Sequence, residues 1–265
     1  KIIENAKNLL VVSRHGVGYD SIDLKRLSQK KIPLTIAAHS NMISVAEHAM
    51  FLLLALFKNV FYYDDFTRKA DWSSRWNIKA WDLAEKKILI IGYGRIGSRV
   101  VKRALAFEMK VYVYDPYLDN KIISSAGATP IDNIEDILHE IDAVSIHCPR
   151  NAETENMFSK KEFDQMKKTS FIINCARGGI INEADIYNAL VNKDIAGAGL
   201  DVFDIEPAAK SNPILNLKNV ILSPHIAGVT VEATVRMAKE TVQNVLDVFD
   251  DKVNENVIVN NEILR

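Results

Sequence analysis

Apolar positions along the chain fall into short runs separated by stretches with helical spacing. Residues 9–13, 32–37, 88–91, 111–114, 143–146, 171–174, 197–201 and 220–223 are brief apolar runs, most of them rich in β-branched side chains, and each reads as a strand. Pro33 stands near the start of the second. Residues 21–30 predict a helix with Ser21 as N-cap and Leu24 and Leu27 on its apolar face. Residues 44–58 predict a strongly apolar helix, and residues 183–192 another. Residues 231–250 predict a long one, with Val235, Ala238, Val242, Val245, Leu246 and Phe249 at helical spacing. Residues 71–83 hold all three tryptophans and read as an irregular connection. From residue 86 onward strands and helices alternate regularly, which indicates a doubly wound parallel α/β sheet.

One unit in this pattern carries a ligand signal. The strand at 88–91 runs into Gly92-Tyr93-Gly94-Arg95-Ile96-Gly97. A helix follows, with Ile96, Val100, Val101, Ala104 and Leu105 on one face, and then a second strand ending in Asp115. Gly92 permits the tight turn, Gly94 lets backbone approach a pyrophosphate, and Gly97 lets helix and strand pack closely. The helix N-terminus turns unpaired N–H groups and a positive dipole end toward phosphate. Asp115 lies 18 residues past Gly97, close to where a ribose-binding acid belongs. A glycine-rich turn alone can be purely structural; strand, helix and acid together point to a dinucleotide. A carboxylate suits the ribose hydroxyls of NAD and repels the 2′-phosphate of NADP. Pro116 and Tyr117 supply no cation to offset that repulsion, so NAD is the expected cofactor.

Composition narrows the class. At 265 residues the chain can hold one large or two smaller domains. It is 48% hydrophobic and 25% charged, ordinary for a globular protein. A formal net charge of −1 gives no electrostatic case for nucleic acid or an anionic membrane. Cys148 and Cys175 form no disulfide framework and no metal-ligand cluster, which fits a reducing cytoplasm. The mixed polar start does not read as a signal peptide. The longest apolar run, residues 49–57, is nine residues long, far short of a bilayer span, and reads as a core or interface helix.

Three later segments carry the candidate chemistry, and each follows a predicted strand. Ligands of open α/β sheets bind at that carboxyl edge. Asn174-Cys175-Ala176-Arg177-Gly178-Gly179 places an arginine there, suited to a two-point grip on a carboxylate or, equally, to a structural ion pair. Leu200-Asp201-Val202-Phe203-Asp204-Ile205-Glu206-Pro207 brings acids, and Ser223-Pro224-His225-Ile226-Ala227-Gly228 brings a histidine. Hydride transfer at an alcohol carbon needs a partner for the hydroxyl proton, and histidine suits that task near neutrality. A neighbouring glutamate would orient its ring and favour the protonated form.

The chain resembles the D-isomer-specific 2-hydroxyacid dehydrogenases over essentially its whole length. The specific pieces are Arg14-His15-Gly16-Val17-Gly18-Tyr19-Asp20, Ser44-Val45-Ala46-Glu47-His48, the glycine turn, Tyr114-Asp115-Pro116, His147-Cys148-Pro149 and the three segments above. The resemblance implies that Arg177, Glu206 and His225 are the catalytic arginine, glutamate and histidine. It makes Val17 and Gly18 the loop whose backbone N–H groups hold the substrate carboxylate. Arg14, beside that loop, would meet a second anionic group of the substrate or form an ion pair within its own domain. It assigns cofactor contacts to Gly92, Gly94, Arg95, Ile96, Gly97 and Asp115, with Cys148, Pro149, Ala176, Asp201, His225 and Gly228 bordering the nicotinamide or its ribose. It implies a Rossmann-type NAD domain, residues 41–227, inserted into a flavodoxin-like substrate domain, residues 1–40 and 228–265. A further α/β segment of that substrate domain would precede residue 1, and no regulatory domain would follow the return.

The expected reaction interconverts a D-2-hydroxy acid and its 2-oxo acid in a cleft between domains, with NAD as hydride carrier. A substrate like phosphoglycerate or hydroxypyruvate is favoured because of Arg14. A homodimer is expected to bury residues 44–58 and the aromatic stretch 61–81. Two rival readings are a catalytically inactive NAD-sensing corepressor of the same fold and a formate dehydrogenase. The intact Arg177, Glu206 and His225 speak against the first. The formate enzymes would carry glutamine where this chain has Glu206.

Overall fold

The computed structural model describes residues 2–252 and 254–264. In chain order they form α1 (Ile2–Asn5), β1 (Val12–Arg14), α2 (Leu24–Gln29), β2 (Leu34–Ile36), α3 (Met42–Phe57), α4 (Val60–Arg68), β3 (Lys87–Ile91), α5 (Gly97–Ala106) and β4 (Lys110–Tyr114). There follow α6 (Asn120–Ser125), β5 (Thr129–Pro130), β6 (Ala143–Ile146), α7 (Lys160–Gln165), β7 (Phe171–Asn174), α8 (Glu183–Asn192), β8 (Gly197–Leu200), β9 (Val220–Leu222) and α9 (Val231–Phe249). The chain divides into a smaller unit, Lys1–Ser44 with Gly228–Arg265, and a larger one, Val45–Ala227.

The larger unit holds seven parallel strands in the order β5-β4-β3-β6-β7-β8-β9. The chain leaves β3 for β4 and β5 on one side, then crosses to β6 on the other. That reversal opens a crevice beyond the carboxyl end of β3, the place where such sheets take ligands. Both faces of the sheet are covered, so its strands are mostly apolar. Ile88, Ile90, Val111, Val113 and Ile173 pack on one face with α3 and α5 residues such as Leu52, Leu53, Val100 and Ala104. Leu89, Ile91, Val144, Ile146 and Ile172 pack on the other with Phe163, Ile186 and Leu190. The sheet admits α3 closely because Gly199 lacks a side chain: a Cβ there would lie 2.9 Å from Leu52 Cβ.

The smaller unit pairs β1 with β2 in parallel, Val12 opposite Leu34 and Arg14 opposite Ile36. Leu27, Ile32 and Leu34 form its core. Asn260 clamps the start of β2, accepting the Leu34 N–H at 2.8 Å and donating to the Ile32 carbonyl at 2.9 Å. Helix α9 is tied to the same strands, Asn244 Nδ2 donating to the Ile36 carbonyl at 3.0 Å.

Three local expectations are corrected. Helix α2 starts at Leu24, and Asp23, not Ser21, caps it, its carboxylate accepting the Arg26 N–H at 3.0 Å. Residues before it close a turn instead, Ile22 N–H to Tyr19 O at 2.9 Å. Strand β1 begins three residues later than the apolar run suggests, because Leu9 N–H closes the turn after α1 on Ala6 O at 3.4 Å and Val12 is the first residue to pair. Within the aromatic stretch, α4 forms a helix that the sequence reading did not resolve. Asn59, at φ 50°, breaks it from α3, and the two helices meet at 61°. Among the described residues no single helix is long and apolar enough to cross a membrane.

Candidate active site

The glycine turn follows from backbone geometry. Gly92 sits at φ +90° and donates its N–H to the Tyr114 carbonyl at 2.8 Å. A Cβ on Gly97 would lie 1.9 Å from the Gly92 carbonyl oxygen, so only glycine lets α5 start against the turn. Gly94 differs: a Cβ there would meet nothing within 4 Å. Packing within the fold therefore does not demand glycine here, and the backbone is left open to approach. Ile96 occupies the N-cap of α5 and offers no side-chain acceptor to the first helical N–H groups. An open approach at Gly94, a side-chain-free helix N-terminus and a nearby acid fit a pyrophosphate with an attached ribose. The acid is Asp115, whose Oδ2 accepts the Tyr93 N–H at 2.8 Å and whose Oδ1 accepts the Tyr117 N–H at 3.1 Å. Those two bonds fix the carboxylate beside the turn, and each oxygen keeps a lone pair for a ribose hydroxyl.

Strand β6 closes the other side of β3. His147 N–H pairs with the Ile91 carbonyl at 2.8 Å. Its ring is buried, with Nε2 at 2.8 Å from Ser145 Oγ and Nδ1 without a hydrogen-bond partner. Burial pushes the imidazole down to about 3, so it stays neutral. The adjacent Cys148 thiol is pushed up by burial to about 11, which makes it an apolar wall and not a nucleophile. Burial raises the Cys175 thiol as well.

The neighbouring strands β7, β8 and β9 present Arg177, Glu206 and His225 from their carboxyl ends. Asn174 shapes the first turn, its Nδ2 donating to the Arg177 carbonyl at 2.8 Å and its Oδ1 accepting the Ala176 N–H at 2.9 Å. The Arg177 guanidinium donates to the Ala176 carbonyl at 2.7 Å. The second turn packs directly on the first: a Cβ on Gly178 would lie 1.9 Å from the Phe203 carbonyl oxygen. Asp204 ties them together by accepting the Gly179 N–H at 2.7 Å. Partial burial and then the Glu183 carboxylate raise the Asp204 carboxyl above its ordinary range. Glu206 accepts the Phe203 N–H on Oε1 at 3.0 Å, which leaves Oε2 for the third turn.

That third turn delivers the histidine. Nδ1 of His225 lies 2.6 Å from Glu206 Oε2. The two side chains are 47% and 35% exposed, so a ligand can reach the ring. His225 has φ +55°, a left-handed conformation that is uncommon outside glycine. Asp201 holds it there. Its carbonyl accepts the His225 N–H at 2.8 Å, and its carboxylate accepts the N–H groups of Ile226 and Ala227, both at 2.9 Å. The Asp201 side chain is 1% exposed, and its oxygens face this turn. The resemblance has Asp201 border the nicotinamide or its ribose; in the structure its oxygens also shape the turn that carries His225.

Arg14, Val17, Gly18 and Gly228 lie in the smaller unit. There Arg14 Nε donates to the Gly18 carbonyl at 2.9 Å and holds the loop, while Gly16 accepts the Ala37 N–H at 2.9 Å. Gly228 fits against Asn41, whose Nδ2 would lie 2.8 Å from an added Cβ. The sequence reading did not single out Asn174, Asp204, His48 or Ser223 as site residues. Only the placement of Asn174 and Asp204 at strand ends hinted at their part.

A parallel sheet with a phosphate-type turn at its switch point and a carboxylate–histidine pair on the same edge has the architecture of a dinucleotide-binding α/β domain. Comparison with known proteins agrees. The family of D-isomer specific 2-hydroxyacid dehydrogenases, NAD binding domain, matches residues 50–227. D-3-phosphoglycerate dehydrogenase of Methanocaldococcus jannaschii is 37% identical over 257 residues, 97% of this chain and 49% of that protein. Glyoxylate reductase of Korarchaeum cryptofilum is 32% identical over 268 residues, 100% of this chain and 80% of that protein. The structure of D-lactate dehydrogenase from Aquifex aeolicus, complexed with NAD and lactic acid, matches with a TM-score of 0.88 at 31% identity, over 97% of this chain and 82% of that one. The chain spans about half the length of the phosphoglycerate dehydrogenases it matches. It belongs to the D-isomer specific 2-hydroxyacid dehydrogenase family, and its larger unit carries the NAD-binding domain.

Proposed function

We propose that this protein is an NAD-dependent oxidoreductase that interconverts a D-2-hydroxy acid and its 2-oxo acid. The observation that carries this is the 2.6 Å contact between Glu206 Oε2 and His225 Nδ1 on the sheet edge that also bears the glycine turn. NAD(H), held by Gly92, Gly94, Arg95, Ile96, Gly97 and Asp115, supplies or accepts the hydride when bound. His225 exchanges the proton of the reacting oxygen through Nε2, because Nδ1 faces Glu206. Glu206 fixes the ring. Arg177 binds the substrate carboxylate and polarises the reacting oxygen. Cys148, Pro149 and Ala176 would border the nicotinamide or its ribose. Val17 and Gly18 supply backbone amides to the substrate carboxylate, and Arg14 favours a substrate with a second polar or anionic group, of the phosphoglycerate or hydroxypyruvate kind.

The protein acts as a homodimer in this reading. Phe51, Val60, Phe61, Trp72, Trp76 and Ile78 are exposed apolar side chains on or beside α3 and α4. A groove of about 460 Å³ lined by Met50, Phe51, Leu54 and Phe107 lies in the same region. A second copy would cover them by two-fold symmetry. The cysteines are unpaired, which suits a cytoplasmic enzyme. The test is a spectrophotometric panel of 2-oxo acids with NADH. Oxidation of NADH by at least one small 2-oxo acid supports the reading, and no turnover with any of them contradicts it.

A further inference from the structure

Beneath the turn that carries His225 lies a part-buried polar chain that runs from Asp201 through Ser223 to His48. Ser223 Oγ donates to Asp201 Oδ1 at 2.5 Å, and His48 Nε2 stands 2.9 Å from the same Ser223 Oγ. His48 is on α3 and comes within 3.9 Å of Asp201 itself. All these groups belong to the larger unit.

Proton counting assigns the direction of each bond. An ionised carboxylate only accepts, so the single hydroxyl proton of Ser223 goes to Asp201. Ser223 Oγ then has only lone pairs left for His48. The network therefore assigns a proton to His48 Nε2, which donates to Ser223. The order His–Ser–Asp also excludes a nucleophilic serine: the hydroxyl gives its proton to the acid, and no base stands ready to take it.

The consequence reaches the active site through Asp201. That residue receives three consecutive backbone N–H groups, those of His225, Ile226 and Ala227. Its Oδ1 is shared between Ser223 Oγ and the Ile226 N–H. The orientation of the carboxylate therefore decides whether both amides are met. His225 needs them met, because its left-handed backbone is costly for a non-glycine residue and neighbouring bonds must offset that cost. Loss of the His48 donor lets Ser223 rotate, lets the Asp201 carboxylate turn, and loosens the turn that aims the imidazole.

Resting on the dehydrogenase reading, we propose that His48 is a positioning residue: through Ser223 and Asp201, it holds the His225 turn in the conformation that presents the imidazole to the substrate. His48 touches neither substrate nor cofactor in this role. A glutamine can replace its Nε2–H donor, whereas a leucine of similar bulk cannot.

The test compares His48→Leu, His48→Gln and Ser223→Ala with the parent, using NADH and the best 2-oxo acid of the panel. Hydrogen exchange at the Ile226 and Ala227 amides is measured alongside. His48→Leu is expected to lower kcat about tenfold with NADH affinity changed less than twofold, and to speed exchange at both amides about tenfold. His48→Gln is expected to recover kcat and protection to within threefold of the parent. His48→Leu combined with Ser223→Ala is expected to be no worse than Ser223→Ala alone, because both act through one chain. Unchanged exchange in His48→Leu, equal damage from leucine and glutamine, or faster exchange with an unchanged kcat would each overturn the proposal. If the parent reduces no 2-oxo acid, the dehydrogenase reading fails by itself. Exchange still decides whether His48 holds the turn.

Discussion

Glu206 Oε2 lies 2.6 Å from Nδ1 of His225, and Glu206 Oε1 is itself held by the Phe203 N–H at 3.0 Å. The carboxylate is thus anchored at one oxygen and orients the ring with the other. Because Nδ1 is engaged, Nε2 is the nitrogen left to exchange a proton with a substrate oxygen. Glu206→Gln keeps an acceptor for Nδ1 and removes the charge, which roughly halves the strength of the bond. Its kcat is expected to fall on the order of tenfold, a loss of about 1.4 kcal/mol in transition-state stabilisation. Glu206→Ala also removes the orienting contact and is expected to fall further. Equal rates for parent and both variants, in steady-state assays with NADH, would remove Glu206 from the site.

The two glycines at the dinucleotide turn should fail in different ways. A Cβ on Gly97 would collide with the Gly92 carbonyl at 1.9 Å, so Gly97→Ala is expected to lower the thermal midpoint and weaken NADH binding together. A Cβ on Gly94 meets nothing within 4 Å, so Gly94→Ala should melt like the parent and still lose NADH affinity by tenfold or more. Thermal unfolding with NADH fluorescence titration separates the two. A Gly94→Ala variant that binds NADH normally would place the pyrophosphate elsewhere.

Cofactor choice should follow Asp115. Its carboxylate is fixed by the Tyr93 and Tyr117 N–H groups at 2.8 Å and 3.1 Å. NADH is expected to bind at least tenfold more tightly than NADPH, and Asp115→Ala should narrow that gap. Equal affinities in the parent would show that Asp115 does not face the 2′ position.

Buried His147 sets an acid limb to stability. Burial lowers its pKa from 6.5 to about 3, so the folded protein takes up fewer protons below pH 6.5 than the unfolded chain does. Its contribution is intact above pH 6.5 and is lost as pH falls from there toward 3. Between pH 7 and 5 the parent should therefore lose about 2 kcal/mol more than His147→Gln in denaturant unfolding. Parallel losses in the two proteins would contradict this.

Much of this was legible in the sequence for a physical reason. A strand covered on both faces is mostly apolar, so β6 and β7 stand out at 143–146 and 171–174, broken only by Ser145 and closed by Asn174, and α8 is bounded by the cap Asn182. The glycine turn and Asp115 could be read because backbone geometry restricts which residues fit there. Elements with weak patterns were not legible. Strand β5 is two residues long at the sheet edge, and α4 is held in part by the charged i,i+4 pairs Arg68–Asp64 and Lys69–Asp65. The contact of His48 with Ser223 joins residues 175 apart in sequence, and no local pattern predicts it. Asp201 illustrates the same limit. Its place at a strand end marked it as a site residue, but only the fold shows that its oxygens serve the turn.

In the proposed reaction His225 exchanges a proton with the oxygen of a 2-oxo acid. Single-turnover reduction of the best 2-oxo acid by NADH, in the parent and in His225→Ala, measures that step most directly. The chemical rate is expected to fall by at least about a hundredfold, the usual range for general acid–base work, with NADH affinity little changed. A His225→Ala variant that reduces the acid at the parent rate would contradict it.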